Sequence, residues 1–422
     1  MSNEQATCRS AVPQRAAAGP ADPRKAPGSS GGSPKATGMI PAKRKRGSWI
    51  SRAATLLLLA ATLVVLILYF YPVASPEISE TQVKQIHANV ESWQLGEGGY
   101  AAKSPHWEVY FTAPGREYGR ETPLGGLARV LIERLDAAER SLWIAVYDLE
   151  HPALVAALLR AKERGVALRI VAEHTNRAPI ATLVNAGIPV QFDDRNALMH
   201  HKFIIIDDAE VWTGSMNLTE NGMQRNNNHF LRFQQAEIIQ AYRDEFEEMF
   251  AGQFGRSSDA SNHAYIEHES GEIVVHFIPE FSPLETLLAV VGRAEISIRF
   301  LVFSFTLDEL GALLIQEQDD GVDVQGVFDS RLARGTGSEY VPLFCKGLPV
   351  YLDGNPYTMH HKVFIIDERW VLTGSMNYSR SGSTQNDENW LILQDEGLAA
   401  AFLAEYERVF ERSRRSTEED CP

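Results

Sequence analysis

The feature that most constrains the fold is a nineteen-residue segment that the chain contains twice. "MHHKFIIIDDAEVWTGSMN" runs from Met199 to Asn217, and "MHHKVFIIDERWVLTGSMN" runs from Met359 to Asn377, 160 residues further on. Thirteen of the nineteen positions are identical, including the His, Lys, Gly-Ser and Asn positions. A duplicated fold has packing reasons to keep apolar residues in both copies, but none to keep these polar ones. The repetition therefore indicates two copies of one functional half-site.

Other segments repeat around the motif at nearly the same offset. The pairs are "TPLGGL" (122–127) with "SPLETL" (282–287), "SLWIAVY" (141–147) with "SIRFLVF" (297–303), "GVALRIVAE" (165–173) with "GVDVQGVFD" (321–329), "GIPVQF" (187–192) with "GLPVYL" (347–352), and "AYRDEFEEMF" (241–250) with "AFLAEYERVF" (401–410). Short β-rich apolar runs that alternate with helical segments indicate α/β layers. Repeats of this length are duplicated domains rather than a solenoid. We therefore expect two pseudo-symmetric α/β sandwich halves, each a mixed sheet flanked by helices.

Composition sets the expected boundaries of these halves. The first repeat is predicted at 107–250 and the second at 273–412, separated by a linker rich in Gly, Ser and polar residues at 251–272. Before the first repeat we expect a polar stalk at 76–106, helical to about residue 95.

The N-terminal part predicts a membrane anchor. Residues 53–71, "AATLLLLAATLVVLILYFY", are nineteen residues without a charge, and about 20 apolar residues span a bilayer. Basic residues precede this run and acidic ones follow it, so the tail 1–52 is predicted to be cytoplasmic and everything beyond Tyr71 to lie outside. That tail is rich in Ala, Pro, Gly and Ser, and is expected to be disordered. A cleaved signal peptide is the alternative, but its apolar region is normally only about 7–15 residues long.

Charge and cysteine content narrow the classes of function. The chain has a net charge of −15, and residues 1–52 carry ten Lys and Arg against two acidic residues. The remainder is therefore strongly acidic, unlike a protein that coats nucleic acid through a broad basic face, although one local basic cleft would escape such a count. The three cysteines, Cys8, Cys345 and Cys421, are too few and too scattered for a disulfide framework or a metal site, and we expect free thiols.

Within each motif, the polar residues fall where they can act together. His200 and Lys202 are two apart, which in an extended segment directs both side chains to the same face. The buried run "FIII" follows and ends at Asp207. The remaining motif residues of the first copy and their counterparts in the second are Gly214, Ser215, Asn217, His360, Lys362, Asp367, Gly374, Ser375 and Asn377.

This pattern, HxKxxxxD followed by GSxN and present twice, resembles the phospholipase D superfamily over about residues 107–412. The resemblance implies one active site at the interface of the two halves, with no metal or organic cofactor. It implies a phosphodiester substrate, attack by a His to give a phosphohistidine, and resolution of that intermediate by water or an alcohol.

The chemistry of a phosphodiester agrees with these residue types. Its anionic oxygens need cations and hydrogen-bond donors, which Lys202 and Lys362 supply from both sides. Donors expected to bind the phosphate are Ser215, Asn217, Ser375 and Asn377. A His from each half would provide a nucleophile and an acid for the leaving oxygen. Structural roles are expected for Asp207, Asp367, Gly214 and Gly374.

The two copies differ eleven residues after the motif Asn. The second half has Glu388 there, where the resemblance implies a carboxylate that orients a His, and the first half has Asn228. A carboxylate next to His360 would raise the pKa of that ring and suit it as general acid. An amide near His200 would leave a neutral ring free to attack. We therefore expect His200 to be the nucleophile.

The motif leaves the substrate open. A membrane anchor and an acidic folded part favour a phospholipid, cleaved by hydrolysis or transferred to an alcohol. The main alternative is a metal-independent nuclease acting on single-stranded DNA or RNA, because "NGMQRNNNHF" (221–230) resembles the tail of small nuclease members of the superfamily. A binding protein without activity is a minor alternative. The expected partners are the bilayer and the substrate, with no obligatory protein partner.

Overall fold

The computed structural model describes residues 90–95, 99–114, 126–257, 262–417 and 421. The predicted cytoplasmic tail (1–52) and membrane anchor (53–71) lie outside the described residues. Within the described ranges, no helix is both long enough and apolar enough to cross a bilayer.

The first half contains nine strands and four α-helices in its described residues. The strands are β1 (Glu91–Gln94), β2 (Gly99–Lys103), β3 (Glu108–Thr112), β4 (Ser141–Val146), β5 (Ala167–Glu173), β6 (Val190–Asp193), β7 (Lys202–Ile206), β8 (Glu210–Gly214) and β9 (His229–Phe233). The helices are α1 (Gly126–Ala137), α2 (Pro152–Glu163), α3 (Ala181–Asn185) and α4 (Ala236–Phe250). A single π-helical turn, Asn221–Arg225, precedes β9.

The second half repeats this order. Its strands are β10 (His263–His268), β11 (Gly271–Ile278), β12 (Ser297–Val302), β13 (Asp323–Phe328), β14 (Val350–Leu352), β15 (Lys362–Ile366), β16 (Trp370–Gly374) and β17 (Glu388–Gln394). Its helices are α5 (Leu284–Val291), α6 (Asp308–Asp319), α7 (Tyr340–Cys345), α8 (Arg380–Thr384) and α9 (Glu396–Phe410).

The two sheets have the same strand order, except that the first has one additional edge strand, β1. The first is β1-β2-β3-β9-β8-β7-β4-β5-β6, and the second is β10-β11-β17-β16-β15-β12-β13-β14. In each sheet the last three strands are parallel and the other neighbours are antiparallel. The expectation of two mixed sheets flanked by helices is therefore confirmed.

The described residues contain three apolar clusters, one in each half and one shared between the halves. One cluster packs the first group of helices on the outer face of the first sheet, with Leu131 and Ile144 at its centre. Another does the same for the second sheet, with Phe300 and Leu314. The central cluster contains residues of both sheets together with α4 and α9. Because this core is shared, the two halves form one packed body with an interface along their inner faces.

The segments flanking the repeats differ from expectation. The predicted helical stalk contains the antiparallel strands β1 and β2, which extend the first sheet beside β3, so a stalk is wrong from Glu91 onward. Trp93 packs edge-on against Tyr110 in this part of the sheet. This packing stabilises a strand despite the polar composition of the segment. The predicted linker contains β10, which pairs with β11 over six positions.

The prediction of free thiols is wrong for two of the three cysteines. Cys345 and Cys421 form a disulfide across 76 residues of sequence. The C-terminal segment returns to the second sheet, where Leu352 and Arg414 exchange backbone hydrogen bonds, and this return brings Cys421 to the end of α7. Cys8 lies outside the described residues.

Candidate active site

The motif His and Lys side chains sit where one inner strand begins and its neighbour ends. Lys202 opens β7 opposite Val146, the last residue of β4, and Lys362 opens β15 opposite Val302. The ring of Tyr147 lies 4.9 Å from that of His200, and the ring of Phe303 lies 4.7 Å from that of His360. Each half therefore presents a His and a Lys beside an aromatic side chain at the same point of its sheet.

Each His is held in place by backbone from the opposite half. The amide of His200 donates to the carbonyl of Asp387 at 2.9 Å, and the amide of His360 donates to the carbonyl of Asn227 at 2.9 Å. These reciprocal bonds join the segment before each motif to the segment that follows GSxN in the other half. The two motifs therefore build one site at the interface.

The acids that end β5 and follow β13 fix the backbone just before each His. Glu173 accepts a hydrogen bond from the amide of Met199 at 2.9 Å, and Asp329 accepts one from the amide of Met359 at 3.1 Å. The mirrored runs that end in these acids were visible in the sequence, but their contact with the motif was not.

The pairing of the orienting residues is the reverse of the sequence expectation. Nδ1 of His200 lies 2.8 Å from a carboxylate oxygen of Glu388. Nδ1 of His360 lies 3.0 Å from Oδ1 of Asn228 and 2.9 Å from the carbonyl of Ser215. The prediction that the carboxylate stands next to His360 is therefore wrong. The physical reason is the interface itself, because each half donates its orienting residue across it.

These partners determine where the ring protons lie. An amide or carbonyl oxygen can only accept, so Nδ1 of His360 carries hydrogen, and Nδ1 of His200 does so when the carboxylate of Glu388 is ionised. Nε2 of each ring is then left for chemistry, as a lone pair in the neutral form. The carboxylate additionally stabilises a positive ring at His200, whereas the neutral oxygens at His360 do so less.

The hydroxyls of the two motif serines donate hydrogen bonds to the residues that orient the histidines. Ser215 donates to Oδ1 of Asn228 at 2.9 Å, and Ser375 donates to Glu388 at 2.6 Å. Both serines are fully buried. A hydroxyl has one proton to donate, and here it is already used, so the predicted phosphate-binding role of Ser215 and Ser375 does not fit this geometry.

The side chains of Asn217 and Asn377, unlike those of the serines, have hydrogen-bonding capacity that is not used. Among the described residues, each has a buried side-chain oxygen without a hydrogen-bond partner. Oxygen and nitrogen of an amide exchange places when the group rotates by half a turn, so either can face the site. The two amides have hydrogen-bonding capacity to offer an anionic ligand, and their predicted role in phosphate binding stays a prediction.

The lysines give the site its charge. Lys202 and Lys362 are fully buried, and Nζ of each donates to the carbonyl of its own motif His, at 2.6 and 2.9 Å. Burial lowers the pKa of Lys202 to about 7 and that of Lys362 well below its ordinary value. Burial also raises the pKa of Glu388 to about 7. A negatively charged ligand in this position would favour the charged form of both lysines.

Burial and the same two lysines lower the pKa of both histidines. For His200 the causes are burial, then Lys202 and Lys362; for His360 they are burial, then Lys362, Lys202 and His200 itself. The lysine of the opposite half therefore contributes to the lowered pKa of each ring. Both rings are neutral, and can act as nucleophiles or bases, until an anion binds.

The motif aspartates and glycines shape the backbone around this centre. Asp207 accepts from the amides of Glu139, Arg140 and Ser141, and Asp367 accepts from the equivalent turn before β12. At Gly374, with φ of +134°, a Cβ would lie 2.4 Å from the carbonyl of Asn389. Only glycine allows this close approach of the strands.

A second pair of histidines, each directly following a motif His, was not predicted from the sequence. His201 lies 3.1 Å from Glu245 of α4, and His361 lies 2.7 Å from Glu405 of α9. Glu405 is further paired with Arg408 at 2.6 Å. The signal was present, because Glu245 and Glu405 are 160 residues apart in the mirrored helices.

In the described ranges, no group of three or more His, Cys, Asp and Glu side chains could hold a metal ion.

Two α/β halves that share one buried pair of histidines, each with its lysine, define the fold and site of the phospholipase D superfamily. The family described as "Cardiolipin synthase, PLD-like domain" matches residues 131–250 and 287–414, more than half of the chain. The chain belongs to this family. The recognition of the superfamily from its motifs is confirmed.

Named relatives agree with this assignment. The chain is 35% identical over 127 residues to the mitochondrial cardiolipin hydrolase of Xenopus laevis, covering 29% of this chain and 60% of that protein. It is 30% identical over 125 residues to a phospholipase D of Rickettsia conorii, covering 29% of this chain and 62% of that protein. The chain thus spans about three fifths of the length of these relatives.

A solved structure shows the same fold over a longer stretch. The phosphatidylserine synthase of Haemophilus influenzae aligns with 68% of this chain and 84% of its own, with a TM-score of 0.53 and 13% identity.

Proposed function

We propose that this chain is a membrane-anchored phosphodiesterase of the phospholipase D type that cleaves phospholipids. The observation that carries the proposal is the cross-half pairing of His200 with Glu388 and of His360 with Asn228, which leaves Nε2 of both rings available beside two buried lysines. Such a site accepts one anionic phosphodiester between two rings.

In the proposed reaction, Nε2 of His200 attacks phosphorus and the bond to the leaving alcohol breaks in line. His360, protonated when the anionic substrate binds, gives its Nε2 proton to the leaving oxygen. The phosphorylated ring of His200 carries positive charge while Nδ1 keeps its hydrogen, and Glu388 stabilises that charge at 2.8 Å. Water then loses a proton to His360 and attacks phosphorus, and His200 leaves. An alcohol in place of water gives transfer.

His200 is thus proposed as nucleophile for a reason different from the one the sequence suggested. A carboxylate on Nδ1 suits the ring that must become cationic in a covalent intermediate. The neutral oxygens beside His360 make its imidazolium less stable and its proton easier to release to a leaving group.

Phospholipid is the substrate that the accompanying features favour. The relatives quoted above are named as a cardiolipin hydrolase and a phospholipase D. The folded part is acidic, and the apolar run at 53–71 would hold it against a bilayer.

We further propose that the catalytic part lies on the extracytoplasmic side of the cell membrane. The basic flank of the apolar run supports this orientation. The disulfide between Cys345 and Cys421 supports it independently, because disulfides persist in oxidising compartments and are rare in the cytosol. Alkylation of whole cells under denaturing conditions should leave both cysteines unmodified unless a reductant is added first. Modification without reductant would contradict this location.

Activity on a panel of substrates tests the function. The full chain, with EDTA present, is offered phosphatidylcholine, phosphatidylglycerol, cardiolipin, single-stranded DNA and RNA, beside its His200→Ala and His360→Ala variants. We expect phosphatidate from lipid and no nucleotide product, and no activity from either variant. Nucleotide release without lipid cleavage would replace this proposal with the nuclease alternative. Lipid cleavage that survives both substitutions would sink the histidine mechanism.

A further inference from the structure

The rims of the two half-sites differ much more than their centres. Tyr357 lies three residues before His360, and the corresponding residue before His200 is Ala197. Arg225, which packs against the ring of Tyr357 at 5.5 Å, corresponds to Gln385. Arg331 lies two residues after Asp329, whereas Thr175 lies two residues after Glu173. Tyr357 and Arg331, on the His360 side, therefore have no aromatic or cationic counterpart at the equivalent positions of the first half.

Arg331 is hydrogen-bonded to the segment that contains Tyr357. Arg331 donates to the hydroxyl of Thr358, which directly follows Tyr357 and belongs to the segment that leads into His360. Tyr357 is 38% exposed and Leu332 is 37% exposed. The side chain of Arg331 is 55% exposed, and its nearest carboxylate, that of Asp329, is 4.0 Å away. All three side chains are thus exposed, and Arg331 is hydrogen-bonded to the residue after Tyr357 and adjacent in sequence to Leu332.

Three other arginines near the motif segments are paired with acids. Arg177 is paired with Asp194 at 2.6 Å, Arg195 with Asp193 at 2.9 Å, and Arg225 with Glu220 at 2.5 Å. Binding along a polynucleotide needs cations that follow several successive phosphates. Arg331, whose carboxylate partner is 4.0 Å away, is free to bind one additional phosphate.

We propose that Arg331, Tyr357 and Leu332 form a leaving-group subsite that selects a phospholipid whose leaving alcohol itself carries a phosphate. The inference rests on the proposed function, because in-line attack by His200 directs the leaving group toward His360. Arg331 pairs with the second phosphate, and Tyr357 and Leu332 cover adjoining hydrocarbon. A cationic leaving group such as choline is disfavoured by the same guanidinium.

The bond changes are those of the proposed reaction. The phosphorus–oxygen bond to the leaving alcohol breaks, that oxygen takes the proton of His360, and water supplies the new oxygen on the retained phosphatidyl group. With cardiolipin the leaving alcohol is phosphatidylglycerol, and with phosphatidylcholine it is choline.

Competition within one membrane tests the subsite. The full chain is added to mixed vesicles of phosphatidylcholine and cardiolipin, and the release of phosphatidylglycerol is compared with that of choline. Both lipids share one surface, so changes in vesicle binding cancel in the ratio. In Arg331→Gln we expect this ratio to fall about ten-fold, the size of one charge-assisted hydrogen bond. Tyr357→Ala, which copies Ala197, should lower it less.

Arg177→Gln is the matched control, because it removes an equally exposed arginine from the His200 side. We expect its ratio to match that of the wild type. If Arg331→Gln and Arg177→Gln give the same ratio while both lipids are cleaved, the subsite is wrong and the proposed function stands. If the wild type cleaves single-stranded nucleic acid and neither lipid, the proposed function fails and the subsite fails with it.

Discussion

The two halves share strand order, motif and backbone clamps, yet the side chains behind their histidines carry opposite charge patterns. In the first half, Glu245 beside His201 is followed three residues later by Glu248. In the second half, Glu405 beside His361 is followed at the same place by Arg408. Burial, and then Glu280, raises the pKa of Glu245 to about 8. Burial also acts on Glu405, but Arg408 and His361 outweigh it and lower the pKa to about 2.

The two halves also differ in the partners of the motif histidines. The first-half His200 has a carboxylate partner from the second half, whereas the second-half His360 has an amide and a carbonyl from the first. In the proposed mechanism, the duplicated chain thus divides two chemical roles between equivalent positions. Pseudo-symmetry thus preserves the backbone frame, while single differences at the interface change the hydrogen-bond partner of each ring.

The largest expected effect is the loss of kcat when either histidine is replaced, and its size should depend on the leaving group of the substrate. His200→Ala and His360→Ala should each lower kcat on a phospholipid by roughly 10⁴-fold or more. With a p-nitrophenyl phosphodiester, whose leaving group needs no proton, His360→Ala should recover a factor of about 10²–10⁴ relative to His200→Ala. Steady-state kinetics on both substrates measure this. Equal recovery in the two variants would abolish the division of roles.

The orienting partners should differ in the same direction. Glu388→Gln should lower kcat by roughly 10²–10⁴-fold, because His200 loses the carboxylate that stabilises its cationic form. Asn228→Ala should cost about ten-fold, since the carbonyl of Ser215 still accepts from Nδ1 of His360. Far-ultraviolet circular dichroism confirms that both variants fold. A larger loss of kcat in Asn228→Ala than in Glu388→Gln would contradict the proposed roles of the two histidines.

Stability should show the contrast between the two buried glutamates. Glu405→Gln leaves Arg408, which also donates to the carbonyl of Thr112, without its carboxylate, and should cost about 3–5 kcal/mol in free energy of unfolding. Glu245→Gln replaces a carboxyl that is largely protonated at neutral pH, and should cost less than about 1 kcal/mol. Urea unfolding of both variants measures the difference, and equal losses would show that Arg408 is unimportant.

The pH dependence of stability should have opposite signs at these two sites. The folded-state pKa of Glu245 is raised, so its contribution is full below the ordinary pKa of about 4.3 and is lost as pH rises through about 8. The folded-state pKa of Glu405 is lowered, so its contribution is present above the ordinary value and is lost as pH falls through about 2.

The corresponding measurement is a set of thermal unfolding curves between pH 5 and 8. The wild type should lose stability over this range relative to Glu245→Gln, whose neutral amide does not titrate. A constant difference between the two proteins would contradict the raised pKa.

Sequence patterns predicted the fold well where they depended on local periodicity. The mirrored apolar runs correspond to β4 with β12 and β5 with β13, and the final mirrored helices are α4 and α9. The strands β1, β2 and β10 were missed, because β1 and β10 are polar edge strands and β2 is a short run, and pairing with a distant strand is not a local property.

At the site, the sequence identified His200, Lys202 and their second-half counterparts, but not the partners that cross the interface. Distance along the chain suggested that Glu388 belongs with His360, since both lie in the second repeat. The fold exchanges the orienting residues between halves, and no pattern within one repeat reports this exchange. The disulfide of Cys345 with Cys421 was missed for the same reason, because only the return of the C-terminal segment joins them.

The division of roles between the halves is tested most directly by trapping the covalent intermediate. The full chain is mixed with a phosphodiester labelled on its retained group, quenched rapidly in base, digested and mapped by mass spectrometry. We expect phosphorylation at Nε2 of His200 in the wild type, and its accumulation in His360→Ala with a p-nitrophenyl leaving group. Phosphorylation mapped to His360 would contradict this division of roles.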